Sequence, residues 1–229
     1  MAFLMKKMRL FSDEVYLMKR LFYGTFAVWA ITACICQAAP EPAVVQSDAE
    51  WTADVRFEKP RQIMLRRKSP DKPLRFWYTI LTITNSTDRD VDFYPKCELM
   101  TDTFQIISAG KETPAAVFKK IKKRHRKKYP FLNTLENSGN RILQGQDNTK
   151  DIAIIWPDFD PEAKNVKLFI TGLSDETAVL DHPTAKDAAG KPKKIFLRKT
   201  LELSYDLAGD PAFRSDAELT FKGNRWVMR

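Results

Sequence analysis

From Trp51 onward, apolar and polar positions alternate. Trp51, Ala53, Val55 and Phe57 share one face, the period-2 spacing of a half-buried strand. The strongest segment is Leu74–Thr84, where Trp77, Leu81 and Ile83 point one way and Phe76, Tyr78 and Ile80 the other. Aromatic and β-branched residues on both faces predict a central strand buried on both sides or lying near a helix. Asn85-Ser86-Thr87-Asp88 then supplies turn chemistry, and alternation restarts at Val91-Asp92-Phe93-Tyr94, which reads as a hairpin. Further strands are predicted at Glu98–Met100, Phe104–Ile107, Asp151–Trp156, Val166–Thr171, Lys194–Leu207, Ala217–Phe221 and Trp226–Met228, with Lys222-Gly223-Asn224 as a turn between the last two. No long-period repeat is present, so a solenoid is excluded. Many short strands predict a mainly β fold, an immunoglobulin-like antiparallel β-sandwich over residues 51–229. The cysteine–tryptophan–cysteine core of antibody domains is absent, which rules out that subgroup alone.

One segment breaks the strand pattern. Between about 114 and 128, Val117, Phe118, Ile121, His125 and Tyr129 recur every three or four residues and form a single stripe. Thr113 is placed to cap the helix, Pro114 suits its first turn, and Pro130 stops it. The rest of the stretch from Lys119 is basic: Lys119, Lys120, Lys122, Lys123, Arg124, Arg126, Lys127 and Lys128. The sandwich is therefore expected to carry one inserted basic α-helix.

The N-terminal segment has a different character. Lys19-Arg20 precedes a charge-free run from Leu21 to Cys36, and small residues follow, the layout of a secretory signal. The run is short for a spanning helix, which needs about 20 apolar residues. Three outcomes stay open for this signal or anchor helix: cleavage after Ala38, lipidation of Cys34 in the lipobox-like Ile31-Thr32-Ala33-Cys34, and retention as a single-pass anchor. Met18 is a second candidate start. All three outcomes place the bulk of the chain outside the cytoplasm. Residues 1–38 form the address, 39–50 a Pro/Ala-containing linker, and 51–229 the sandwich.

Charge and composition sharpen this reading. The chain has 229 residues, of which 44% are hydrophobic and 29% charged, with a net charge of +9. It can bury a core and is too polar for a multi-span membrane protein. Residues 1–38 hold five bases and two acids, so they account for +3 and leave +6 on the remainder. The eight bases from Lys119 to Lys128 exceed that total. One reading is a helix docked on the sandwich by its narrow stripe with its lysines merely solvated. The other starts from the repulsion of like charges at such spacing, since a basic face of this kind suits a polyanion. Outside the cytoplasm the partners it predicts are anionic lipid head groups or an acidic envelope polymer, with nucleic acid ranked below them. Membrane association through the N-terminal segment is a separate route, and the protein partner is unknown.

Catalytic chemistry finds little material. The two histidines are His125, inside the basic run, and His182. Ser174, in Gly172-Leu173-Ser174-Asp175-Glu176, lacks the second glycine of a nucleophile elbow. Cys97 is the one cysteine left beyond residue 38, so no internal disulfide is expected. A lone Cys in such a setting reads as a small packing residue rather than a nucleophile. Asp158-Phe159-Asp160-Pro161-Glu162, and more weakly Asp147-Asn148 with Asp151, offer carboxylates but not the ligand count of a calcium loop. No catalytic residue, metal site or cofactor is assigned. The chain is read as a non-catalytic binding or structural module, with a lipoprotein anchored through Cys34 and an extracellular hydrolase as alternatives.

Three stretches, Trp77 to Thr87, Ile154-Ile155-Trp156-Pro157-Asp158 with Phe169 to Ser174, and Leu197 to Leu203 with Arg225-Trp226-Val227-Met228-Arg229, resemble uncharacterised secreted envelope proteins of planctomycete-type bacteria. The resemblance implies secretion and an immunoglobulin-like β-sandwich, and brings no activity with it.

Overall fold

A computed structural model describes the backbone of residues 44–45 and residues 51–66, 73–111, 113–209 and 217–229. The signal or anchor segment and Cys34 lie outside the described residues. Among the described residues, strands dominate and there is one α-helix, so the fold is mainly β.

The smaller sheet is built on β4 (Leu74–Thr84). Its first half pairs with β3 (Arg61–Leu65) and its second half with β2 (Asp54–Phe57), while β10 (Lys150–Pro157) runs antiparallel along its length. The short β8 (Asn133–Thr134) joins β10 in parallel. The larger, seven-stranded sheet is built on β13 (Pro192–Ala208). β12 (Thr177–Lys186) pairs with its first half and β11 (Asn165–Thr171) with its second, and β14 (Glu218–Met228) also pairs with the second half. Beyond β11 lie β6 (Lys96–Thr101) and β7 (Ile106–Ser108). β1 (Val44–Val45), inside the stretch read as a linker, pairs with β12.

The two faces of β4 part as its sequence pattern predicts. Trp77, Leu81 and Ile83 join Ile152, Ile154 and Trp156 of β10, and together they meet Leu99, Leu168, Leu201 and Leu203 of the larger sheet. This apolar layer makes the two sheets a β-sandwich. Phe76, Tyr78 and Ile80, with Ala153 and Ile155, face the opposite way and are covered by the helix α1 (Ala115–His125). Both clusters and every named strand pair fall within residues 42–229, a compact unit in its own right.

Several expectations are corrected. The segment after β4 is not its hairpin partner: β5 (Val91–Asp92) pairs with β9 (Arg141–Ile142), because β2, β3 and β10 already occupy both edges of β4. The Asn85 side chain fixes the departure by donating to the carbonyls of Arg89 (2.7 Å) and Ile142 (3.1 Å). Lys222-Gly223-Asn224 is not a turn. β14 runs through it with a bulge, since Gly223 pairs with Ser204 and Phe221 with Tyr205, leaving Lys222 as the extra residue. Phe104 precedes its strand with φ of 64°. Pro114, not Thr113, is the N-cap of α1, and no side chain caps it.

The outer face of the larger sheet is polar and cross-linked. Glu202 (4% exposed) receives Lys167 at 3.0 Å and Arg225 at 3.1 Å from the flanking strands. Glu98 pairs with Lys96 at 2.7 Å and Arg229 at 3.0 Å. The pairs of Glu202 with Lys167 and Arg225 cross between strands and stabilise a sheet face that meets water, whereas Lys96 and Glu98 lie on one strand, β6.

Candidate functional site

Helix α1 is held by apolar packing, not by its ends. Val117 and Ile121 are fully buried against β3, β4 and β10, and the following Tyr129 and Leu132 extend the same contact. No acid lies in its first turn, while Lys122, Lys123, Arg124 and His125 stand in its last. Cations there interact favourably with the carbonyl end of the helix dipole.

The structure sorts the eight bases, all exposed at the level of whole residues, into two groups. Lys120 Nζ donates to the Met64 carbonyl at 2.8 Å, and Arg124 Nη1 to the Gln62 carbonyl at 3.4 Å. These carbonyls are two residues apart on β3, so bases one helical turn apart cover the outer edge of that strand, which would otherwise be an open template for pairing. Lys128 pairs with Glu58, which also accepts from the Tyr129 hydroxyl at 2.6 Å and lies 3.9 Å from Arg61. The hydrogen bonds from Lys128 and Tyr129 hold the Glu58 carboxyl below its usual range.

Lys119, Lys122, Lys123, Arg126 and Lys127 form the second group. Lys119, Lys122 and Lys123 lie on the side of the helix away from Val117 and Ile121, Arg126 is its C-cap and Lys127 follows, and none of the five has an acidic partner among the described residues. Lys122 Nζ stands 5.8 Å from the centroid of the Phe118 ring. In this group, Lys119–Lys122, Lys119–Lys123, Lys122–Arg126, Lys123–Arg126 and Lys123–Lys127 are like-charge neighbours at three or four residues. Each such pair costs about 0.2–0.5 kcal/mol.

His125 lies on the same helix, half-buried. Its Nε2 is 2.9 Å from the Tyr78 hydroxyl, to which Arg124 donates at 3.2 Å, so the hydroxyl proton is free to go to Nε2. Burial, then the Arg61 and Arg124 charges, push its pKa below the ordinary value.

The remaining candidates do not come together. Cys97 is buried in the sandwich core, and burial pushes its thiol pKa far up. Ser174 bonds to Thr52 (3.0 Å), and His182 Nδ1 accepts from the amides of Thr184 and Ala185 within its own strand. Among the described residues neither imidazole contacts Ser174 or Cys97. Asp158 accepts from Trp77 Nε1 (2.8 Å) and pairs with Arg75 (3.1 Å), and the Asp151 carboxylate accepts from Thr82. A cleft of about 510 Å³ is lined by Arg89, Arg141 and Arg198, but also by Asp90, Asp92 and Asp175, so its charges balance.

No family model matches the chain, and no curated protein or solved structure is significantly similar to it.

Sequence reasoning missed the role of β3. Arg61–Leu65 is a short apolar strand with Arg61 at its start and Arg66 just past its end, and it is the edge that the helix covers. The flanking Pro60 and the apolar Ile63-Met64-Leu65 were the available signal. It also missed Phe131, which is 82% exposed six residues past the end of α1.

Proposed function

We propose that this chain is an exported, envelope-associated, non-catalytic binding module that presents the outward face of α1 to an anionic partner, either lipid head groups or an acidic envelope polymer. The observation that carries the reading is the face formed by Lys119, Lys122, Lys123, Arg126 and Lys127, five bases without an acidic partner among the described residues. Close like charges are a standing cost to the helix, and an anionic surface would offset it while releasing counter-ions. Export rests on the Lys19-Arg20 and Leu21–Cys36 pattern. Tethering through Cys34 would hold the module at a membrane.

The module is proposed to be an immunoglobulin-like sandwich of the kind carried by the planctomycete-type envelope proteins it resembles. The strand orders β2-β4-β10 in one sheet and β7-β6-β11-β13 in the other support this. They follow the A-B-E and C′-C-F-G neighbours of that fold, with α1 and the parallel β8 where strand D would run.

The test is co-sedimentation of residues 42–229 with phosphatidylglycerol-containing vesicles and retention on immobilised dextran sulfate. The wild-type unit should bind at least one of them at low salt, and the variant with all five outward bases changed to Gln should lose that binding. Equal binding by the variant would overturn the assignment.

A further inference from the structure

We propose that the partner of the basic face is the surface of an anionic bilayer, with Phe131 as an interfacial anchor. This rests on the anion-binding reading and narrows it. Five bases without an acidic partner among the described residues suit a soluble polymer and a bilayer equally well in charge. Apolar chemistry beside the charge separates the two, because a hydrated polymer has nothing to receive it and the head-group region of a bilayer does.

Phe131 supplies that chemistry. It is 82% exposed and follows Lys127, Lys128, Tyr129 and Pro130 directly. Tyr129 and Leu132, on either side of it, are both buried in the cluster beneath the helix, so the chain is pinned there while the Phe131 ring is turned out. A lone exposed apolar residue is ordinary. An exposed aromatic ring four residues past the last outward base, Lys127, offers the combination of charge and apolar surface that holds basic segments at membrane interfaces.

The shape of the face points the same way. The apolar stripe of α1 is occupied by its own sheet through Val117 and Ile121, so the helix cannot sink into lipid on that side. Its outward bases run over nine residues from Lys119 to Lys127, about 12 Å at the helical rise, with Arg126 and Lys127 just past the end of α1. A convex ridge meets a plane with all of its charges within about one Debye length. The resulting mode is reversible adsorption: each base contributes about fivefold in affinity near an anionic surface, and the single ring adds about tenfold.

The experiment compares wild type, Phe131→Ala and the five-base Gln variant of residues 42–229. Each is titrated against phosphatidylcholine vesicles, phosphatidylcholine–phosphatidylglycerol vesicles and soluble dextran sulfate. The expected result is selective binding to the mixed vesicles, weakened about tenfold by Phe131→Ala, with dextran sulfate binding unchanged by that substitution. Phe131→Trp should restore the vesicle affinity. Because the ring is exposed, urea unfolding of Phe131→Ala should match wild type, which separates lost contact from lost fold. Full vesicle affinity in Phe131→Ala, or an equal loss toward dextran sulfate, would overturn the bilayer assignment and leave the anion-binding reading in place. Undiminished binding by the five-base variant would overturn both.

Discussion

Truncating Ile121 to Ala removes three carbons from a side chain that is 0% exposed and sits between α1 and the outer face of the smaller sheet. The transfer term alone is about 0.8 kcal/mol per carbon, or roughly 2.4 kcal/mol. The space left behind adds a cavity term, because sheet residues such as Ile80 and Ile155 are held by their own strand pairing and relax only in part. Alanine's better helix propensity returns a few tenths of a kcal/mol. The net loss is about 3 kcal/mol, with measured Ile→Ala costs spanning about 2–5 kcal/mol. In a unit of this size it corresponds to a fall in Tm of roughly 6–12 °C. Equilibrium urea unfolding of residues 42–229, followed by the fluorescence of the buried Trp77 and Trp156, measures it, with the m-value unchanged. Lys123→Gln, on the outward face, is the control and should stay within about 0.5 kcal/mol of wild type. An Ile121→Ala loss below about 1 kcal/mol would mean that the helix is not packed on the sheet, and the sorting of bases into edge-covering and outward groups would fail with it.

Two further predictions test the frame that carries the helix. Gly172 has φ of 88°, and a Cβ there would lie 2.5 Å from the backbone oxygen of Tyr94. Gly172→Ala should therefore lose at least about 3 kcal/mol in urea unfolding, whereas Gly190→Ala, at a similar φ but facing open space, should lose only about 1 kcal/mol. Burial alone would raise the Glu202 carboxyl, but Lys167 and Arg225 hold it below its ordinary 4.5. The unfolded chain then takes up the proton first, so this stabilisation is present above about pH 4.5 and fades as pH falls through the lowered native value. Glu202→Gln should cost about 1–2 kcal/mol at pH 7 and progressively less below pH 4.5, read from urea midpoints across pH; a cost that does not change with pH would refute the ion-pair account.

Much of the sandwich was legible because its signals are local. The two faces of Leu74–Thr84 announced two apolar layers, and the stripe of Val117, Ile121 and Tyr129 announced the helix that covers one of them. What the sequence hid depends on partners far along the chain. Val91-Asp92 looks like a hairpin arm until the edges of β4 are seen to be filled by β2, β3 and β10. Lys222-Gly223-Asn224 has turn composition, yet ten residues of β13 pair along β14 and absorb the extra residue as a bulge. β12 carries Pro183 and several polar residues, which masked it as a strand, and its exposed position tolerates them. The basic run was visible as a block of charge, but not its division. Only the position of β3 shows that Lys120 and Arg124 cover its edge, and only Glu58 shows that Lys128 is paired. The unpaired remainder is a narrower and more testable surface than the whole run.

The salt dependence of binding to phosphatidylglycerol-containing vesicles tests the central claim most directly, measured for residues 42–229 as wild type and as the five-base Gln variant. The account predicts steep weakening of the wild-type affinity with rising salt, no measurable binding to pure phosphatidylcholine, and a flat, weak response from the variant. Salt-insensitive binding by the wild type, or a slope that survives loss of all five bases, would contradict it.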